Sequence, residues 1–331
     1  MNLIKNQILD IMKWIIRETR QNITSFSRND ISMFHEFRGS PAGGGHQFLR
    51  ALRKEFLNEG FRVENNTISK TTRACLFNSF NFNFEFLKKC RKPGCLMIHR
   101  VDGPISAYRG WDNGTDLRIK QINHDLADVT IFQSCFSMQK HLELDIELNN
   151  PVVILNTADP SIFHTRDRIN FDRNRKIRLI STSWSDNPNK GAYTYKWLEE
   201  NLNWDQFEYT FIGRSPIQFK RLHTFPPVSS YQLAESLRNH DIYIIASKND
   251  PCSNALIEAL LCGLPAIFLR SGGHPEIVKD AGFGFEEKDQ IPNLLAKLVD
   301  EYEIRQNNIS IPTITEVAHS YLGAMGIIGE N

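Results

Sequence analysis

From residue 30 onward the chain alternates short apolar runs with longer stretches in which apolar residues recur every three or four positions. That is the pattern of strands followed by amphipathic helices. Runs at 31–37, 61–63, 74–78, 95–99, 129–133 and 152–155 predict strands. Helices are predicted over 48–59, closed by Gly60, and over 116–128, with Leu117, Ile119, Ile122 and Leu126 turned inward. Strands separated by helices predict a parallel sheet covered on both faces. The pattern lapses over 157–174, a polar stretch with a proline and no sustained periodicity, which reads as a linker. A second series follows, with strands at 176–182, 207–212 and 241–246 and helices over 191–202 and 231–239. The predicted fold class is α/β, with two consecutive doubly wound domains at 30–156 and 175–305 and a closing segment at 306–331.

Within the second domain, 246–285 reads as a strand end, a polar loop, a nearly all-apolar helix over 254–262, a further strand, a Gly-Gly turn and a short helix. Glu258 is the one carboxylate among Ala255, Leu256, Ile257, Ala259, Leu260, Leu261 and Cys262. A helix apolar all round is normally buried, so Glu258 must either find donors or line a cavity. Asp250 lies in the loop before this helix, separated from Glu258 by seven residues. A helix start after a small-residue loop offers free N–H groups to an anion, and two carboxylates beside it suit sugar hydroxyls. Phosphate plus polyol points to a sugar nucleotide. The same residues also read as ordinary helix chemistry: Asp250-Pro251 or Ser253 as the cap, and Glu258 facing water.

Composition narrows the classes. The chain has 331 residues, 41% hydrophobic and 23% charged, which suits a globular protein with two sizeable cores. A formal net charge of +1 gives no electrostatic case for nucleic acid as a partner. Six cysteines without a CxxC pair read as reduced, packed thiols of a cytoplasmic protein. At the N-terminus, Ile4, Ile8, Ile11, Met12 and Ile15 share one helical face while Lys5, Lys13, Arg17 and Arg20 interrupt it. The amphipathic helix predicted over 1–29 is too short and too charged to span a bilayer. It suits peripheral contact with an anionic membrane surface, or packing on its own domain.

In parallel sheets ligands bind beyond the carboxyl ends of the strands, so the residues after each run carry the interest. These include Gly43, Gly44 and Gly45 after the first strand, then His99, Arg100, Asp102 and Gly103. The glycines do not fit G-x-G-x-x-G and lack the acidic ribose partner of nicotinamide sites. They also read as a flexible loop, and His99 with Asp102 as ordinary turn chemistry. Lys190, before a helix start, suits a diphosphate or a plain surface position. The stiff loop 225–230, with two prolines and Val228, suits the rim of a nucleobase site.

Taken together, NDPCSNALIEALLCGLPAIFLRSGGHPEIV, PAGGGHQFLRAL, HRVDGP, NPNKG and residues 127–137 resemble retaining GT-B glycosyltransferases of family four. The likeness spans 31–285 and is most specific in the second half. It implies two Rossmann-like domains facing a cleft, with the last helix, over 315–325, crossing back to the first domain. It further implies that Glu258 accepts from the donor ribose and Asp250 from the transferred sugar. Ser253 and the N–H groups of Asn254 and Ala255 would meet the diphosphate, with Gly213 and Val228 beside the nucleoside. Lys190, Gly44 and Gly45 would hold the leaving phosphate, and His99 would lie by the reacting carbon. The implied donor is a UDP- or GDP-sugar, with no other cofactor; the implied acceptor is a glycan or lipid-linked hydroxyl, as in polysaccharide assembly. No D-x-D occurs, and no metal is expected.

Two departures stand out. Asp250 replaces the usual glutamate, one methylene shorter, and Trp184 stands where an arginine often precedes the lysine, which removes a phosphate clamp. An epimerase or hydrolase on the same fold, and a non-catalytic sugar-nucleotide binder, are the alternative classes.

Overall fold

Four consecutive apolar or small residues, Ile31–Phe34, form the first strand, and every one is buried. A strand buried on both faces belongs inside a parallel sheet with helices on each side. The computed structural model describes residues 28–37 and 43–329, together with Met12 and Ile16. The amphipathic helix predicted over 1–29 and the first part of the glycine-rich turn, 38–42, fall largely or wholly outside these residues.

Two six-stranded sheets result. The first comprises β1 (Ile31–Phe34), β2 (Val63–Asn65), β3 (Ala74–Asn78), β4 (Leu96–Val101), β5 (Val129–Phe132) and β6 (Pro151–Val153). The second comprises β7 (Ile177–Ser183), β8 (Phe207–Gly213), β9 (His223–Phe225), β10 (Ile242–Ile245), β11 (Ala266–Leu269) and β12 (Gly282–Phe285). All pairings are parallel, in the orders β2-β1-β3-β4-β5-β6 and β12-β11-β10-β7-β8-β9. The winding direction reverses between β1 and β3 in one sheet and between β7 and β10 in the other. At such switch points a crevice opens beyond the strand ends. The loops after β1, β7 and β10 are therefore the ones that build a site.

Several elements differ from the periodicity in instructive ways. The first long helix is Gly44–Asn58, starting on the glycines rather than after them. The helix Thr115–Leu126 buries Ile119, Ile122 and Leu126, but Leu117 is 69% exposed. Asp116 is buried in its stead, its carboxylate accepting from the N–H groups of Ile105 and Ser106 at 2.7 and 3.0 Å. The helix predicted over 191–202 is Ala192–Asn201, and a 3-10 turn, Pro188–Lys190, precedes it. The last helix, Ile314–Ala324, packs on Gly44–Asn58 in the first lobe, with Tyr321 against Phe48. Among the described residues no helix is long and apolar enough to cross a membrane.

Candidate active site

The helix Asn254–Leu261 is capped by Ser253, whose Oγ accepts the N–H of Leu256. Asp250 is thereby left free of capping, and its carboxylate meets the Lys190 ammonium at 2.7 Å. The loop carrying Asp250 is pinned from below by the turn after β11. Gly273 N–H donates to the Asp250 carbonyl at 2.9 Å, and Gly272, at φ +67°, lies so close to that carbonyl that any side chain would overlap it. Only glycine adopts this conformation without steric cost.

Lys190 sits at the end of the 3-10 turn after β7, its ammonium 5.2 Å from the Tyr108 ring centroid. Burial would lower its pKa, but the Asp250 carboxylate outweighs burial and holds it above the ordinary lysine value. Burial likewise opposes ionisation of Asp250, yet Lys190, then His274, keep the carboxyl below its usual range. The pair is therefore fully charged across the neutral range.

Glu258 is 8% exposed, and among the described residues its carboxyl has no hydrogen-bond partner. Burial alone pushes its pKa up to about 8. It faces a cavity of about 210 Å³ between the two lobes. Gly43, Gly44 and Gln47 close this cavity from the first lobe, and Ser183, Trp184, Lys190, Val228, Ser247, Asp250 and residues 253–255 from the second. The lobes touch closely here: a Cβ on Gly44 would sit 2.6 Å from the Asn254 side chain, so the helix start reaches Asn254 only as glycine. The Trp184 indole lies against Gly43, and the Arg214 guanidinium stacks on it at 4.9 Å. A guanidinium thus stands beside position 184 after all, supplied from the end of the neighbouring strand β8.

Eight of the predicted residues, Gly44, Lys190, Val228, Asp250, Ser253, Asn254, Ala255 and Glu258, line this one cavity. Three do not. Gly45, the next residue of the helix, turns away from the cavity with open space beside it. Gly213 is a strand residue pressed against the Ser183 carbonyl, where a side chain would overlap it. His99 is the larger correction. Strand β4 runs two residues past the predicted end, so the pleat turns His99 onto the face of Met97, toward the helix Thr115–Leu126. It is fully buried and stacked on Phe77 at 4.7 Å. The Asn123 amide donates to its Nδ1 at 3.1 Å, which leaves the proton on Nε2, facing Ser79 Oγ at 3.1 Å. Burial, then the charge of His141, lower its pKa to about 3. This core imidazole, neutral in the physiological range, lies outside the residues that line the cavity. His99→Ala is expected to cost about 2–4 kcal/mol of stability through cavity formation and the lost hydrogen bonds. Turnover per folded molecule should stay at the wild-type level; a specific loss of turnover in stable protein would return His99 to the site.

Sequence reasoning passed over Gln47, Ser183, Ser247 and Tyr108. Ser183 and Ser247 stand at or just after strand ends, the one local signal available, whereas nothing local marks Gln47 or Tyr108.

A sequence profile of the family described as glycosyl transferases group 1 matches residues 220–310. A search of curated proteins finds no match. Among solved structures, the catalytic domain of starch synthase IV from Arabidopsis thaliana, bound to ADP and acarbose, superposes with a TM-score of 0.69 at 11% identity, covering 91% of this chain and 99% of that one. Sucrose-phosphate synthase from Thermosynechococcus elongatus gives 0.64 at 13% identity over 90% and 95%. The Anabaena protein HepE in complex with UDP-glucose gives 0.60 at 12% identity over 89% and 95%. The profile covers the helix and loops that carry Asp250 and Glu258, and the superpositions span both lobes. Residues 220–310 thus match the group 1 glycosyl transferase profile, and the chain as a whole has the GT-B fold of these solved glycosyltransferase structures.

Proposed function

We propose that this enzyme transfers a hexosyl group from a nucleoside diphosphate sugar to a hydroxyl of a glycan or lipid-linked acceptor, with retention of anomeric configuration. The observation that carries the reading is the cavity itself. It is lined by a buried carboxylate, Glu258, with no hydrogen-bond partner among the described residues, by the charged Lys190–Asp250 pair, and by the start of a helix. Glu258 accepts from the ribose diol. Asp250 accepts from hydroxyls of the transferred sugar, and Lys190 with the N–H groups of Asn254 and Ala255 faces the diphosphate.

Transfer breaks the bond between the anomeric carbon and the phosphate oxygen, whose electron pair stays with the leaving diphosphate. The acceptor oxygen forms the new bond on the same face, and its proton passes to the departing phosphate oxygen. Positive charge grows on the sugar and negative charge on the phosphate, so fixed donors beside the phosphate lower the barrier. With Lys190 and a helix start providing that charge, the reading includes neither a metal nor a cofactor beyond the donor. The neighbours bound to UDP-glucose and to ADP support a nucleotide ligand without choosing its base.

The test is a panel of UDP-, GDP- and ADP-sugars, followed by thermal shift and release of nucleoside diphosphate, with and without EDTA. An α-linked donor is expected to yield an α-linked product by proton NMR, with EDTA having no effect. Inverted product would overturn retention, and failure of every donor to bind would overturn the reading. An epimerase or hydrolase would consume donor at full rate with no acceptor present.

A further inference from the structure

The short helix Ile105–Arg109 belongs to the first lobe, yet two of its carbonyls are taken by the second. Asn189 Nδ2 donates to the Tyr108 carbonyl at 2.9 Å, and Asn249 Nδ2 donates to the Ala107 carbonyl at 2.8 Å. The last carbonyls of a helix lack partners within it, so amides from elsewhere fit them well. Each of these asparagines immediately precedes one member of the ion pair: Asn189 precedes Lys190, and Asn249 precedes Asp250. Their two loops are tied to each other as well, Lys248 N–H donating to the Asn189 carbonyl at 2.8 Å. Asn249 is fixed at φ 52°, its N–H donating to Ser271 Oγ at 2.9 Å. Tyr108 completes the contact from above, its ring centroid 5.2 Å from the Lys190 ammonium.

We propose that Asn189, Asn249 and Tyr108 are positioning residues that make the geometry of the Lys190–Asp250 pair conditional on contact between the lobes. The inference rests on the reading of Lys190 and Asp250 as groups used in transfer. Lobes of one chain move relative to one another unless the interface between them is large and hydrophobic. A separation of about 1 Å would break both amide bonds and release the two loops together, and a misplacement of that size in a site costs about 100-fold in rate. The pair would then be set for reaction only while the first lobe is seated. The donor would thus be protected from water in the open form.

The test uses the full-length double variant Asn189→Ala/Asn249→Gly, in which glycine keeps the positive φ and removes only the amide, beside Tyr108→Leu and Lys190→Ala. Melting temperature, affinity for UDP, GDP and ADP by calorimetry, and sugar-nucleotide turnover are measured for each. For the double variant and for Tyr108→Leu the expected result is wild-type melting and nucleotide affinity within about twofold, with kcat lowered about 10- to 100-fold. Adding the double change to Lys190→Ala should produce no further loss, as for residues acting through one group. Wild-type kcat in the double variant while Lys190→Ala loses turnover overturns the coupling and leaves the functional reading standing. Parallel loss of melting temperature, affinity and kcat shows a merely structural contact, which also overturns it. Unchanged turnover in Lys190→Ala removes the functional reading and the inference with it.

Discussion

Replacing Lys190 by alanine is expected to lower sugar-nucleotide turnover by about 100- to 1000-fold, the loss typical when one fixed donor to a developing anion is removed. The same change strands Asp250, which is 6% exposed and has the Lys190 ammonium at 2.7 Å. Removing one member of a fully buried pair costs about 3–5 kcal/mol. The Lys190 side chain retains 25% exposure, so a loss of about 2–3 kcal/mol is expected here. Two pH windows bound the effect. Asp250 titrates below its usual range when folded, so its contribution is present above the unfolded value near pH 4 and is lost as pH falls through the folded pKa. Lys190 titrates above its usual range, so its contribution is complete below the unfolded value near pH 10 and is lost only as pH rises through the folded pKa. The companion Lys190→Met/Asp250→Asn removes both charges and should recover most of the stability without recovering turnover. Wild-type turnover in Lys190→Ala, measured on protein shown to be folded, would remove the lysine from the mechanism.

Glu258→Gln carries the second large effect, and its sign is unusual for a carboxylate. The folded pKa is raised to about 8 by burial, so between about pH 4 and 8 the folded state holds a proton that the unfolded state has lost. The Glu258 contribution to stability is greatest below the unfolded pKa, falls as pH rises through that window, and levels off above about pH 8. The full shift corresponds to about 5 kcal/mol at 1.36 kcal/mol per unit, and water entering the cavity reduces it to about 2–5 kcal/mol. Glutamine keeps the shape and never ionises, so chemical unfolding of the variant should lack this fall, and the stability difference between wild type and variant should change steadily from about pH 5 to 8. A stability difference between wild type and variant that does not change with pH would mean that Glu258 is solvated. Binding moves the other way. Two ribose hydroxyls donating to an ionised Glu258 stabilise its charge, and hydrogen bonds to a charged group contribute about 1.5–3 kcal/mol. Glu258→Gln is therefore expected to weaken nucleotide binding about 10- to 100-fold. In the wild type, binding near pH 7 should release a proton, visible as a buffer-dependent heat. Equal affinity in the variant would place the ribose elsewhere.

The fold was legible because its signals are local. Apolar runs such as 74–78 and the inward positions Ile119, Ile122 and Leu126 repeat with the periods of strand and helix, and two such series appear as two parallel sheets. Leu117 shows the limit of that reading: it is apolar yet off the buried stripe, while Asp116 goes inside because the N–H groups of Ile105 and Ser106 await it. His99 shows a second limit. Two extra residues of strand β4 suffice to turn a strand-end residue into a core residue, since successive side chains point to opposite faces.

The sequence by itself determined the α/β architecture, the likeness to GT-B glycosyltransferases and the oddity of Glu258, a carboxylate alone in an apolar helix. Each of these depends on residues within one turn or one strand of each other, or on short motifs. The tertiary structure alone decided that Ser253 and not Asp250 caps that helix, that Asp250 pairs with a lysine 60 residues away, and that Arg214 stands beside Trp184. It alone brought Tyr108 and the glycines of the first lobe against the second. These outcomes follow from how the sheets and lobes pack, which brings together groups far apart in sequence. No pattern of period two or 3.6 encodes such meetings.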